Sequence, residues 1–272
     1  MTSPSLDWVV ALTQEAASIL ARFDRKGIGF RKKGGRDLVT AADLASEEFL
    51  LQRIRERFPD HRIIAEETSS EHGTDLRQPT WILDPLDGTT NFVHGLPHCA
   101  VSVAFYCDGA PTLACVANPR IPECFSAERG RGAFLNGERI QVAETEHLSE
   151  ALLATGFHYR REEMPDSNLA HVSDFLFRVR CLRRLGAASL DLCYVACGRL
   201  DGYWELWLSP WDVAAGGLIA EEAGALVTDF SARDRWLFGG EMVASNPKLH
   251  REILHVLRDA DPSALPGPQF QP

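Results

Sequence analysis

Apolar residues recur along the chain with two periods. From Leu6 to Phe23 the spacing is helical, with Val9, Leu12, Ala16, Ile19, Leu20 and Phe23 on one face. Thr40 to Phe58 predicts a second helix. Thr40 suits its N-cap, Asp43 stands at N3 in capping-box spacing, and Pro59 ends it. Between the two, Lys26 to Arg36 is rich in Gly, Lys and Arg and reads as a loop. Short apolar runs over 62–65 and 80–83 predict strands, the second stopping at Asp84-Pro85. From Ala100 to Phe134 the period becomes two. Val101–Phe105, Thr112–Ala117 and Glu123–Ala127 are strands of an antiparallel meander, punctuated by Gly109-Ala110-Pro111, Asn118-Pro119 and Arg129-Gly130.

Beyond about residue 148 the pattern is mixed. Strands are expected over 152–155, 202–206, 226–228 and 242–244. Helices are expected over 166–178, 187–197, 211–223 and 246–258. This order predicts an α+β fold with helices packed on two sheets. No repeat or long linker divides the 272 residues. They read as one domain, with an N-terminal α+β lobe to about residue 147, a C-terminal α/β lobe over 148–260 and a frayed Pro-rich tail over 261–272.

Composition narrows the function. Hydrophobic residues at 45% and charged residues at 24% are ordinary for a globular chain. A net charge of −10 argues against a dedicated nucleic-acid binder. An acidic protein that takes a negative substrate needs local cations, and bound metal ions are one source. The seven cysteines form no CxxC pair and sit mainly in apolar stretches, as buried thiols of a reducing compartment do. No apolar run reaches membrane-spanning length, and Met1-Thr2-Ser3-Pro4-Ser5 lacks a basic region before an apolar run, so the expected location is the cytoplasm.

The chemistry gathers around Trp81-Ile82-Leu83-Asp84-Pro85-Leu86-Asp87-Gly88-Thr89-Thr90-Asn91-Phe92. Pro85 and Gly88 favour a turn at the end of an apolar strand. Two carboxylates brought together there repel, and a hard cation with oxygen ligands, such as Mg²⁺, relieves this. Glu66, ending another short strand, could join them or be half of a solvated pair with Glu67. Asp212, in Pro210-Trp211-Asp212-Val213-Ala214-Ala215-Gly216, could simply cap a helix; the small residues after it imply close packing that would bring it inward. Gly186-Ala187-Ala188-Ser189 opens a helix whose first N–H groups could hold a phosphate or sugar oxygen, or merely pack closely. The Asp-x-Asp-Gly-Thr spacing of haloacid-dehalogenase-type phosphatases is absent, as is a GxxxxGK[ST] loop. His94 and His98 lack a partner motif for zinc and read as local structure.

These blocks resemble the inositol monophosphatase family. Asp84 to Phe92 is similar to its DPxDGTxNF motif, and Trp211 to Gly224 to its WDxAAGxxxxxEAG signature. Asp37-Leu38-Val39-Thr40-Ala41-Ala42-Asp43 and Ala65-Glu66-Glu67-Thr68 resemble two upstream blocks. The resemblance implies a layered αβαβα sandwich, a homodimer, and hydrolysis of a small phosphorylated metabolite by Mg²⁺-activated water. By that pattern Glu66, Asp84 and the Leu86 carbonyl hold one Mg²⁺; Asp84, Asp87 and Asp212 hold a second; a third leans on Glu66. Thr89 pairs with Asp43 to activate the water. Gly88 and Thr89 face the phosphate, while Gly186, Ala187, Ala188 and Glu205 fall on the substrate side, and Lys32 or Lys33 adds a cation. Inositol 1-phosphate is the first substrate implied. Fructose-1,6-bisphosphatase, histidinol-phosphatase and 3′-phosphoadenosine phosphatase are alternatives of the same fold, and a non-catalytic regulatory member is a further one. Three departures stand out: Ala187 for Thr or Ser, Trp207 where a small Gly is common, and Ala225 for the second Gly of EAGG, which would alter the turn there.

Overall fold

A computed structural model describes residues 3–23, 30–34, 37–68, 75–160 and 162–260. Helix α1 (Leu6–Ala21) starts at Ser5, whose side chain accepts from the Trp8 amide, and buries Val9, Leu12, Ala16 and Leu20. Strands β1 (Phe30–Gly34) and β2 (Asp37–Thr40) pair antiparallel into a ribbon. The described part of the expected Gly- and Lys-rich loop is thus largely strand. Its basic, Gly-rich composition hides the pairing from a reading by apolar periodicity. Helix α2 (Ala41–Arg57) follows with the expected capping box between Thr40 and Asp43.

The first sheet has seven strands in chain order: β3 (Arg62–Ala65), β4 (Thr80–Asp87), β5 (Ala100–Cys107), β6 (Ala110–Ala117), β7 (Cys124–Glu128), β8 (Gly132–Leu135) and β9 (Glu138–Ile140). Only β3 and β4 run parallel; the rest is the expected meander, carried two strands further. Strand β4 does not stop at Asp84. It runs on to Asp87 through a register shift against β5 between Asp84 and Asp87. Pro85 has no N–H to give, and an interrupted ladder is where a strand tolerates it. Helix α3 (Thr89–His94) turns out of β4.

The second sheet and its helices come from β10 (Leu152–Thr155), α4 (Leu169–Leu176), β11 (Cys181–Arg183), α5 (Ala188–Ala196), β12 (Gly202–Leu206), α6 (Pro210–Glu222), β13 (Leu226–Thr228), α7 (Trp236–Gly239), β14 (Glu241–Ser245) and α8 (Pro247–Asp259). Its strand order is β11-β10-β12-β14-β13. Helix α4 is shorter than expected because Asn168 takes a left-handed φ of 68° and starts it late. The turn after α6 is not altered by Ala225: Gly224, at φ +94°, supplies the left-handed residue.

Alternation along the strands sorts the core into five layers. Trp81 and Leu83 of β4 face α1 and α2, packing with Leu12, Leu20, Leu50 and Ile54. Ile82, between them, faces the other way, toward Leu190, Val213 and Ile219 of α5 and α6. Those helices in turn cover Tyr203 and Met242 of the second sheet. Its far face, with Leu153, Trp204 and Val243, packs on Phe175 of α4 and Ile253 of α8. The result is the layered αβαβα sandwich. Helix α6 is the central slab and must be small. A Cβ on Gly216 would lie 2.7 Å from Leu192 Cβ and 3.0 Å from the Ser189 carbonyl oxygen. Gly216→Val should therefore destabilise the fold by roughly 1–3 kcal/mol through overpacking. The check is the urea midpoint, and an unchanged midpoint would show that α5 and α6 are not in tight contact.

Candidate active site

The site forms where β4 ends against α2, α5 and α6. Asp84 turns back on its own strand, its Oδ1 accepting from the Leu86 amide at 2.9 Å. Pro85 presents its carbonyl to the Ser46 hydroxyl of α2, at 2.8 Å. Asp87 crosses to α5, where Oδ2 accepts from the Ser189 amide at 2.8 Å and its hydroxyl at 2.6 Å. The α5 amide start is thus partly taken by a carboxylate of the protein itself, an acid on a favourable dipole end. Gly88 then makes the corner at φ +83°. A Cβ there would stand 3.0 Å from the His98 carbonyl oxygen and 3.2 Å from Ala187 Cβ, so only glycine fits.

Thr89 opens α3 and points back at α2. Its hydroxyl lies 2.9 Å from Asp43 Oδ1 and 3.1 Å from the Leu86 carbonyl oxygen. Asp43 is held by its capping box: Oδ2 accepts from the Thr40 amide at 2.8 Å and from the Thr40 hydroxyl. Asp212 has the matching place in α6, with Oδ2 accepting from the Ser209 amide at 2.7 Å. It is therefore both a helix-start residue and a wall of the cleft. Glu66 follows β3, its amide donating to the Leu83 carbonyl at 3.3 Å.

A cleft of about 210 Å³ joins these parts. Glu66, Asp84, Asp87 and Asp212 all line it, with Leu86, Gly88 and Thr89 between them. Gly186, Ala188 and Glu205 line its other side. Ala187 is only 1% exposed and sits behind that wall, against Gly88. The side chains of Lys32 and Lys33 lie outside what the structure describes. A larger hollow of about 480 Å³ beside α1 contains no such gathering of acids.

Burial and mutual repulsion govern the acids. Burial pushes the Asp84 carboxyl well above its ordinary range, and Glu66, Asp87 and Asp212 push it further. Asp212 is raised in the same way, by burial and then by Asp87 and Glu66. Burial raises Asp87 to about 6 against the pull of Ser189. Glu205 is raised to about 7 by burial, although the Tyr203 hydroxyl donates to it at 2.6 Å. Burial also raises Asp43, opposed by Thr40 and Thr89.

Among the described residues no three His, Cys, Asp or Glu side chains form a ready-made metal cage. The chemistry of the donors still fits a hard divalent cation. Asp84, Asp87 and Asp212 each commit one oxygen to the protein, and no described hydrogen bond takes the other. An oxygen-only set of repelling carboxylates gains most from Mg²⁺-type ions.

Three supports escaped the sequence reading. The Asn91 amide donates to the His98 and Leu185 carbonyl oxygens, each at 2.8 Å, and so ties α3 to the loop before α5. Ser189 holds Asp87. His98 is not idle local structure, since its Nε2 lies 3.0 Å from Oδ1 of the buried Asp191 on α5. The available signal was polarity at Ser189 and Asp191, polar residues inside an otherwise apolar stretch.

The profile of the inositol monophosphatase family matches residues 5–261. The Nus factor SuhB of Vibrio cholerae is 42% identical over 264 residues, covering 96% of this chain and 98% of its own. The structure of inositol monophosphatase from Anabaena (Nostoc) sp. PCC 7120 superposes with a TM-score of 0.86 at 38% identity, over 96% of this chain and 98% of that one. An IMPase/NADP phosphatase, solved with NADP and Ca²⁺, gives 0.83 at 26% identity, over 95% and 98%.

Asn91→Leu would leave the carbonyls at His98 and Leu185 without their donor. Stability should fall by roughly 1–3 kcal/mol, read as a lowered urea midpoint. A midpoint equal to that of the parent would mean α3 is held by other contacts.

Proposed function

Since this chain belongs to the inositol monophosphatase family, a family of phosphatases, we propose that it hydrolyses the phosphate monoester of a small metabolite with the help of Mg²⁺, inositol 1-phosphate being the first candidate. One observation carries the reading: Glu66, Asp84, Asp87 and Asp212, from three separate stretches of chain, face one cleft beside the Thr89–Asp43 pair. Glu66, Asp84, Asp87, Asp212 and the Leu86 carbonyl would hold two or three cations. When bound, such ions neutralise phosphate, lower the pKa of water and stabilise a leaving alkoxide.

The protein's own groups then divide the work. The Thr89 hydroxyl has one proton and two acceptors in reach. The Asp43 carboxylate is the stronger acceptor, so the proton goes there. The hydroxyl lone pairs are left to take a proton from the attacking water, with Asp43 as the final base. Burial strengthens Asp43 as a base by raising its pKa. The backbone at Gly88 and Thr89 faces the phosphate oxygens. Gly186 and Ala188 shape the substrate side, with Ala187 packed behind them, and Glu205 accepts from a hydroxyl of the leaving alcohol.

The proposal extends to a homodimer. Leu169, Leu176 and Phe177, 48%, 58% and 87% exposed, leave an apolar patch at α4 of the kind that subunits cover. The cytoplasm is the proposed location; no helix among the described residues is long and apolar enough to cross a membrane. A second reading rests on the name of the Vibrio cholerae relative, Nus factor, and assigns a regulatory role beside catalysis. An Asp87→Asn protein that lost turnover but kept that role would separate the two.

Phosphate release from a panel of monoesters, with and without Mg²⁺, is the direct test. Release should need the ion, and inositol 1-phosphate should lead; activity on 3′-phosphoadenosine phosphate alone would sink the substrate choice. Asp87→Asn should lower kcat by about a hundredfold or more, a barrier increase of about 2.7 kcal/mol, while the chain stays folded by circular dichroism. Retained turnover would refute the role of Asp87. Glu205 is neutral below about 7 and charged above it. Substrate binding through its carboxylate should therefore tighten as pH rises through about 7. In Glu205→Gln that limb of the KM profile should vanish, and a persisting limb would assign it to another group.

A further inference from the structure

Trp207, just past β12, has a backbone that its side chain does not favour. Its φ is +66°. Asp108, Asn136, Asn168 and Ala232 share that region, and the first three are types that tolerate it. A bulky aromatic residue does not. Nor is its ring buried in compensation, since the residue is 40% exposed.

The conformation is held from outside. The indole Nε1–H donates to the Asp166 carbonyl at 2.8 Å. The following amide, of Leu208, donates to the Gly240 carbonyl at 2.9 Å. Asp166 is itself fixed, with Oδ2 2.8 Å from His171 Nε2 and Oδ1 accepting from the Asn168 amide at 2.8 Å. The buried Trp204 on β12 donates to Asn168 Oδ1 at 2.8 Å. The ring of Trp207 is thus immobilised, accessible and part of the cleft wall that also contains Glu205. Strain kept in place at a cleft, in a large residue left 40% exposed, points to contact with a ligand.

We infer that Trp207 is a specificity-determining residue whose ring is a platform for the flat face of a cyclic leaving alcohol. The inference rests on the phosphatase reading. A cyclic polyol has a polar edge for Glu205 and a contiguous C–H face for the indole. An acyclic alcohol offers only a narrow strip and must freeze its rotors to lie flat. Glu205 and Trp207, two positions apart at the end of one strand, present the acceptor and the platform together.

The test compares inositol 1-phosphate with glycerol 2-phosphate in the parent, Trp207→Gly, Trp207→Asn and Trp207→Phe. Glycine and asparagine both accept the left-handed backbone, so both proteins should fold, as melting curves will show. In each, the ratio of kcat/KM for the cyclic ester over the acyclic one should fall about tenfold, mainly through KM. That factor corresponds to about 1.4 kcal/mol, the worth of covering roughly 50–60 Å² of apolar ring face. Trp207→Phe, which keeps a ring, should retain part of the ratio. An unchanged ratio, or an equal loss on both esters, overturns the platform. If the parent releases phosphate from neither ester, the phosphatase reading fails. The platform is then decided by calorimetry, as the ratio of Kd values for the two esters in the parent and in Trp207→Gly.

Discussion

Like charges crowded into a buried place are the constraint around which this structure is arranged. Five carboxylates, Glu205 among them, share one small cleft, and burial drives protons onto Asp84, Asp87, Glu205 and Asp212. The protein answers with directed donors: the Leu86 amide for Asp84, the Ser189 amide and hydroxyl for Asp87, the Ser209 amide for Asp212. The first and last of these bonds are local to β4 and to the start of α6, whereas Ser189 reaches Asp87 across 102 positions and so joins α5 to β4. The close approach of α5 and α6 at Gly216 packs the start of α5, which holds Asp87 through Ser189, against the helix that carries Asp212.

Much of this could be read from the chain. Helical period in α1 and the Thr40–Asp43 capping box were visible because local spacing encodes them. The meander was visible because its turns carry Gly and Pro. The site acids were recognised through ordered motif blocks rather than through their own chemistry; Glu66 and Asp212 were ambiguous alone. The ribbon of β1 and β2 was missed because Gly, Lys and Arg dominate Lys26 to Arg36, a composition that reads as a loop. The run of β4 to Asp87 was missed because Pro85 argues against a strand, and only a partner strand with a shifted register accommodates it.

The supporting residues were hidden for a different reason. Asn91 reaches carbonyls 7 and 94 positions away, and Ser189 meets an acid 102 positions earlier. No local pattern announces such partners. The left-handed backbone of Trp207 was hidden too, because a large residue there reads simply as a change in pocket size.

Asp43 and Asp212 both stand at N3 of a helix and reach back to the amide that precedes it. Each therefore does two jobs, one for the fold and one for the cleft. A descendant of this chain that lost its chemistry would still be under pressure to keep both acids, or let α2 and α6 fray at their starts. Their persistence in a sequence is thus weak testimony for turnover. Asp87 likewise takes the first amides of α5, whereas the bond that Asp84 accepts lies within its own strand, so the presence of Asp84 speaks more directly to retained activity.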